Sequence, residues 1–313
     1  MNEHFLRDVL SGLKLSPKKL NSKYFYDTRG DALFQKIMQT EEYYLTNCEY
    51  EIFEHRANDI ASVFIDDLKH FDLLELGAGD ASKTRFLLQA LVDHKAEFTY
   101  MPIDISTSMI AYLEAELPKK VPGLRLTGLN GEYFPMLEQV RKTSSRKKAV
   151  LFLGGNIGNL DMEEALSFCN ALHDSLNKGD YVMIGFDLKK NPHTIFQAYN
   201  DQSGYTKAFN LNLLTRINHE LGGNFQIANF DHYNSYDPLS GACKSFLYSL
   251  KDQDVRVSNK CFHFAAHEAM EMEISQKYSV EDIYKLANQT NFGVIETFFD
   301  SKHWFLDILW QVT

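Results

Sequence analysis

Phe71-Asp72-Leu73-Leu74-Glu75-Leu76-Gly77-Ala78-Gly79-Asp80 is the stretch on which the fold turns. A short apolar run ends in a glycine-rich turn, and residues 82–91 then read as a helix. Glycines at a strand-to-helix turn let the backbone approach a ligand closely at the helix N-terminus. The theme recurs at 98–104 (FTYMPID), 149–154 (AVLFLG) and 181–188, more weakly at 124–129, with helix-like segments at 107–117 and 162–176 between. Strands alternating with helices of that length predict βαβ units and a parallel sheet.

The end of the chain breaks this rhythm. Residues 280–288 read as a helix, and two aromatic-rich runs, 294–299 and 304–312, flank the polar turn Asp300-Ser301-Lys302-His303. A hairpin there inserts an antiparallel strand into the parallel sheet. The predicted fold class is therefore α/β, with a Rossmann-like sheet of the class I methyltransferase type and an antiparallel C-terminal hairpin. Residues 16–50 and 191–277 fit neither pattern, and Asn191-Pro192 marks a boundary. The second segment is too long for a loop. The two pieces are expected to pair as an inserted α+β substrate-binding domain. The predicted division is 1–60 with 191–277 for substrate, and 61–190 with 278–313 for the cofactor.

Composition narrows the class. The 313 residues are 44% hydrophobic and 24% charged, with a formal net charge of -10. That balance argues against nucleic acid as a partner, because such affinity rests on phosphate contacts. The basic runs Lys18-Lys19 and Arg146-Lys147-Lys148 read as solvated faces. The first ten residues lack the apolar core of a signal peptide, and no run of about 18 apolar residues predicts a membrane helix. Cys48, Cys169, Cys243 and Cys261 are widely spaced, which suits reduced thiols in a cytoplasmic protein. His263 and His267 stand four apart without the HExxH order, so no metal site is expected. A monomer is favoured.

Three features sharpen the glycine turn. The dinucleotide fingerprint wants glycine where Ser82 stands. Glu75, an acid just before the turn, would repel a phosphate but suits the cationic sulfonium of S-adenosylmethionine, directly or through water. Asp104 ends the second strand, where a carboxylate can accept hydrogen bonds from both ribose hydroxyls. Glu132 and Tyr133, after the third strand, could meet the adenine amino group and ring face; ordinary packing is the alternative for Tyr133. At the end of the fourth strand, Gly154-Gly155-Asn156-Ile157-Gly158-Asn159 lies where ligands bind in open α/β sheets. Asn159 there could accept a hydrogen bond from an amine, although either asparagine could be only a turn residue.

The chain also carries Phe25-Tyr26-Asp27…Gly30…Leu33-Phe34, Glu42-Tyr43-Tyr44-Leu45-Thr46, Gly79…Lys83-Thr84-Arg85, Ala198-Tyr199-Asn200-Asp201…Gly204, Arg216-Ile217-Asn218-His219-Glu220-Leu221-Gly222 and Glu273-Ile274-Ser275…Lys277-Tyr278. In these stretches it resembles the histidine-specific Nα-methyltransferase family, whose members make trimethylhistidine for ergothioneine. The resemblance runs from about residue 24 to the end. It implies cofactor positions at Gly77, Gly79, Lys83, Asp104, Glu132 and Tyr133. It places Tyr26, Asn159 and Tyr199 at the substrate's amino and carboxylate groups, and Tyr43, Glu273 and Ser275 around the imidazole. Tyr26 and Asn159 are the candidate catalytic pair. Without the resemblance, Tyr26 and Tyr43 read as core aromatics and Glu273 as solvent-facing.

Departures concern the side-chain pocket. Cys243-Lys244-Ser245 stands where relatives tend to have an Ile-Glu-Met run, so Ser245 could enlarge or polarise it. Gly155-Asn156 lacks the family's usual Ser-Thr pair, and Glu132 replaces the commoner aspartate. The expected activity is stepwise Nα-methylation of L-histidine to the trimethyl betaine. The alternatives are the same chemistry on tryptophan, tyrosine or another amino acid, an idle cofactor-binding protein, and a nicotinamide-dependent oxidoreductase.

Overall fold

The run around Phe71 becomes strand His70–Leu76, buried throughout except at its first residue. Side chains alternate along it. Leu74 and Leu76 enter one apolar cluster, and Phe71 meets Phe64 of helix Leu45–Asp67 on the other face. The computed structural model describes residues 3–313. In chain order the strands are β1 Lys18–Lys19, β2 His70–Leu76, β3 Glu97–Asp104, β4 Leu129–Asn130, β5 Lys147–Phe152, β6 Tyr181–Asp187 and β7 Phe230–Tyr236. They continue with β8 Ala242–Ser249, β9 Gln253–Val257, β10 Lys260–Phe264, β11 Ala269–Gln276, β12 Phe292–Phe299 and β13 Phe305–Val312.

The described residues divide into two compact units, Leu45–Lys189 with Gln276–Thr313, and 3–44 with Lys190–Ser275. A boundary at residue 60 would cut helix Leu45–Asp67, whose buried side includes Ile52, Phe53, Ile60 and Phe64; the units part before it instead. The first unit is an α/β sheet of seven strands in the order β12-β13-β6-β5-β2-β3-β4. Strands β2 to β6 pair in parallel, whereas β13 runs antiparallel to both β6 and β12. The hairpin thus enters the sheet beside β6. The weak run at 124–129 yields only a bridge from Leu126 to Tyr100 and the two-residue β4. Pro122, Gly123, Gly128 and Gly131 surround it and oppose a longer ladder.

The second unit holds a four-stranded sheet in the order β1-β11-β8-β7, a β9-β10 hairpin, and helices that include Thr28–Met38 and Tyr205–Leu221. The solvated reading of the basic runs is corrected here. Lys148 is buried, its ammonium donating to the carbonyls of Ser144 and Arg146, because strand alternation turns it inward. Lys18 lies in β1 and ion-pairs with Glu268. Among the described residues no helix is long and apolar enough to cross a membrane.

Candidate functional site

In the seven-stranded unit, the carboxyl ends of β2, β3 and β4 carry the expected cofactor residues, and that of β5 leads to Asn159. Gly77 has φ +71°, and a Cβ there would lie 2.7 Å from the Tyr133 hydroxyl, so conformation and space both require glycine. Gly79, at φ +52°, would have no atom within 4 Å of its Cβ. The turn is therefore packed on one side and open on the other. Tyr133 opens helix Tyr133–Thr143, with exposed Glu132 just before it. Burial, then the charge of Asp104, pushes the Tyr133 hydroxyl up to about 12. Asp104 ends β3 half-buried; Oδ1 accepts from the Ser106 amide at 2.8 Å, and Oδ2 accepts no bond among the described residues.

Glu75 lies under the turn, fully enclosed. Its Oε1 accepts from the Thr84 hydroxyl at 2.6 Å and its Oε2 from the Tyr100 hydroxyl at 2.5 Å. Both of its oxygens are thus engaged within the protein. Burial raises its carboxyl from 4.5 to about 7 against the pull of those hydroxyls and of Lys83. Because the folded value exceeds the unfolded one, the protonated form favours folding. Stability from this group is complete below about pH 4.5 and is lost as pH rises through about 7. Glu75→Gln is therefore expected to flatten the fall in Tm between pH 5 and 8 for the ligand-free protein, as read by calorimetry. An unchanged slope would assign that fall to another group.

Lys83 precedes helix Thr84–Asp93 and ion-pairs with buried Glu49. Gly154 and Gly155, at φ +80° and +66°, lead into the single turn Asn156–Asn159. Asn159 is exposed at the end of that turn. The Asn156 amide nitrogen lies 3.8 Å from the position of a Gly77 Cβ and 3.5 Å from that of a Gly154 Cβ. Asn156 is therefore the asparagine turned toward the glycines, a placement that sequence reasoning left open.

In the second unit, several expected substrate residues form one aromatic train. Tyr26, 45% exposed, meets Phe34 and Phe209 edge-on at 5.7 and 5.6 Å. Phe34 contacts Tyr43 at 6.1 Å, and Tyr43 contacts Tyr199 at 6.1 Å. The Tyr199 hydroxyl shares a 2.6 Å hydrogen bond with the Ser275 hydroxyl. Residues expected at opposite ends of a substrate are thus joined directly. The train rests on local geometry. Asp27 caps helix Thr28–Met38, accepting from the Gly30 amide at 2.6 Å and the Asn212 side chain at 2.9 Å. A Cβ on Gly30 would lie 1.8 Å from the Phe25 carbonyl oxygen. Arg216 donates to the carbonyls of Tyr24 and Tyr26 at 3.0 and 3.1 Å. The Phe25-Tyr26-Asp27…Gly30 and Arg216 motifs therefore hold the Tyr26 backbone.

Glu273, on β11, is half-buried. Ser245, on β8, is buried, its hydroxyl 3.4 Å from Nε2 of His232. Burial holds the His232 imidazole down at about 4, hence neutral near pH 7. Sequence reasoning missed His232, Phe34 and Phe209 as neighbours of these residues, and Glu49 beside Lys83. A histidine two positions after the turn into β7 carried no distinguishing pattern.

The sequence as a whole has relatives among known proteins. The chain is 33% identical over 307 residues to the histidine N-alpha-methyltransferase of Mycolicibacterium smegmatis, covering 97% of this chain and 92% of that one. It is 34% identical over 274 residues to the protein of the same name from Mycobacterium tuberculosis, covering 87% and 84%. A 4-dimethylallyltryptophan N-methyltransferase of Claviceps purpurea is 26% identical over 200 residues, covering 61% and 57%. A family model described as "Histidine-specific methyltransferase, SAM-dependent" matches residues 5–312, almost the span over which the motifs were read. With the family model spanning both units and relatives at 33–34% identity, this protein belongs to the S-adenosylmethionine-dependent, histidine-specific methyltransferase family.

Proposed function

We propose that the chain transfers methyl groups from S-adenosylmethionine to the α-amino nitrogen of L-histidine, stepwise to the trimethylated betaine. The observation that carries this reading is the match at 33% identity along nearly the whole chain, motifs in both units included. The sheet of the first unit is read as a class I methyltransferase sheet that holds the cofactor. The second unit is read as an inserted α+β substrate-binding domain.

The cofactor, when bound, supplies an electrophilic methyl group on a sulfonium. The glycine turn fits it: Gly79 leaves open space, Asp104 offers Oδ2 to a ribose, and Glu75 offers negative charge below. Glu132 and Tyr133 stand beside that acid for the adenine, and Lys83 borders the same turn. Methyl transfer is an in-line displacement, so most catalysis is positioning. A free α-amino group is mostly protonated near pH 7, and the attacking nitrogen must be neutral. The Tyr26 hydroxyl and the Asn159 amide oxygen are assigned to orient the lone pair, with the proton leaving through a side chain or water. Tyr199 takes the substrate's amino and carboxylate end. Tyr43, Glu273 and Ser275 take the imidazole, whose two nitrogens suit one charged acceptor and one hydroxyl.

Ser245 supports a second reading in which the same chemistry serves another amino acid. Its small polar side chain, bonded to a neutral His232, differs from the methionine of relatives. Incubation with S-adenosylmethionine and each of the twenty amino acids, read by mass, separates the two. A gain of about 42 Da on histidine supports the first, since discrimination is a ratio of turnovers. Turnover with a different amino acid alone would overturn it. Glu273→Ala is expected to lower kcat/KM for histidine about 10- to 100-fold, the worth of a hydrogen bond to a charged group, with cofactor affinity within about twofold. Equal loss of both would make Glu273 structural.

A further inference from the structure

Two buried carboxyl groups in the seven-stranded unit meet over a single glycine, and the half-buried Lys83 pairs with one of them. Glu49 and Asp307 are almost wholly buried, on helix Leu45–Asp67 and on β13. A Cβ on Gly185 of β6 would lie 2.5 Å from Glu49 Oε1 and 3.0 Å from Asp307 Oδ1. The two carboxyl groups therefore share the space that a side chain at 185 would fill. Lys83 ion-pairs with Glu49 Oε2, and the Gly154 amide donates to Glu49 Oε1 at 2.6 Å.

Charge balance orders this cluster. Two carboxylates and one ammonium would leave a net negative charge in the interior, which is costly. Burial, then the neighbouring Glu49 charge, holds the Asp307 carboxyl well above the usual carboxylate range, so Asp307 keeps its proton beside Glu49. Burial alone would pull the Lys83 ammonium down, but the Glu49 carboxylate outweighs it and the ammonium persists. The result is a neutral array in which one carboxylate receives an ammonium and a backbone N–H, with a neutral carboxylic acid beside it. Its two outward ties end in different turns. Lys83 sits where the chain enters the helix after β2, and Gly154 sits at the positive-φ bend after β5. Both turns lie at the carboxyl ends of neighbouring parallel strands, where open α/β sheets bind ligands. The Lys83 ammonium has three hydrogens, one of which serves the bond to Glu49.

We propose that Glu49 is a positioning residue of the cofactor site, clamping Lys83 and the Gly154 turn without itself touching a ligand. This rests on the methyltransferase reading above, and the test separates the two. Dissociation constants for S-adenosylhomocysteine are measured by calorimetry, alongside Tm and KM for each substrate. If the wild-type protein binds no S-adenosylhomocysteine, the methyltransferase reading fails and the proposal with it. If it binds, Glu49→Gln, which keeps an oxygen for Gly154 but loses the charge, is expected to weaken binding at least about tenfold. KM for S-adenosylmethionine should rise more than KM for histidine. Because Glu49 acts through Lys83, the double variant Glu49→Gln, Lys83→Met should bind as Lys83→Met alone does. Should Glu49→Gln fail to fold, Glu49→Asp keeps the charge and shortens its reach, and should still weaken binding several-fold. A lowered Tm with unchanged affinity in whichever variant folds, or additive losses in the double variant, would overturn the proposal.

Discussion

Asp187→Ala is expected to lower the stability of the chain by about 3–5 kcal/mol, the cost of breaking a buried ion pair from one side. The Lys277 ammonium lies 2.6 Å from Asp187 Oδ2, with the two side chains 0% and 3% exposed. Removing the carboxylate leaves a positive charge with water excluded around it. The backbone adds to the effect. The Tyr278 amide donates to the Asp187 carbonyl at 3.0 Å, and the Lys189 amide donates to the Tyr278 carbonyl at 2.8 Å. The pair therefore anchors the segment that leads into helix Val280–Gln289 beside the end of β6. The matched variant Asp187→Leu, Lys277→Met removes both charges and should recover most of the loss, since apolar replacement of a whole buried pair is often neutral. Urea unfolding of the three proteins checks this. A loss below about 1 kcal/mol for Asp187→Ala would mean that water or another group solvates Lys277.

Such buried charge marks the limit of what the sequence displays. The strand at 71–77, the acid at 104 and the terminal hairpin are legible because apolar runs, glycine turns and chain order are local. The start of helix Leu45–Asp67 is not, because its inner face mixes Cys48 and Glu49 with Ile52 and Phe53. A charged residue in a helical stretch reads as surface, and only tertiary packing turns Glu49 inward. Asp307 within Phe305–Val312 is hidden in the same way. Gly185 offered the one local signal: an isolated glycine inside an apolar strand marks close approach of another group. Within the candidate site, Gly77, Asp104 and Tyr133 follow from strand ends. Tyr26, Tyr43, Tyr199 and Ser275 are separated by as many as 249 positions (275 − 26), and no periodicity links them. Only the motif resemblance gathered them, and it did not foretell the bond between Tyr199 and Ser275.

Asp104→Ala is expected to weaken binding of S-adenosylhomocysteine about 100-fold or more, since hydrogen bonds to a charged group are worth about 1.5–3 kcal/mol each. The carboxylate ends β3 with Oδ1 committed to the Ser106 amide and Oδ2 without a partner among the described residues. The Asn130 side chain and the Gly131 amide both hold the Asp104 carbonyl, at 2.9 and 3.0 Å, so the carboxylate is fixed before any ligand arrives. A rigid acceptor loses little entropy on binding, which favours a large effect per bond. The variant also loses the tie to Ser106, which caps helix Thr107–Lys120, at a cost of about 1 kcal/mol. That part appears in Tm and not in affinity, so calorimetric titration separates the two. Asp104→Asn isolates the charge: its side-chain oxygen can keep the Ser106 bond, while the second acceptor becomes a donor facing the ribose. Its affinity should fall between those of the wild type and Asp104→Ala. If Asp104→Ala binds within about threefold of the wild type, less than one ordinary hydrogen bond, the ribose is held elsewhere and the assignment of this strand end is wrong.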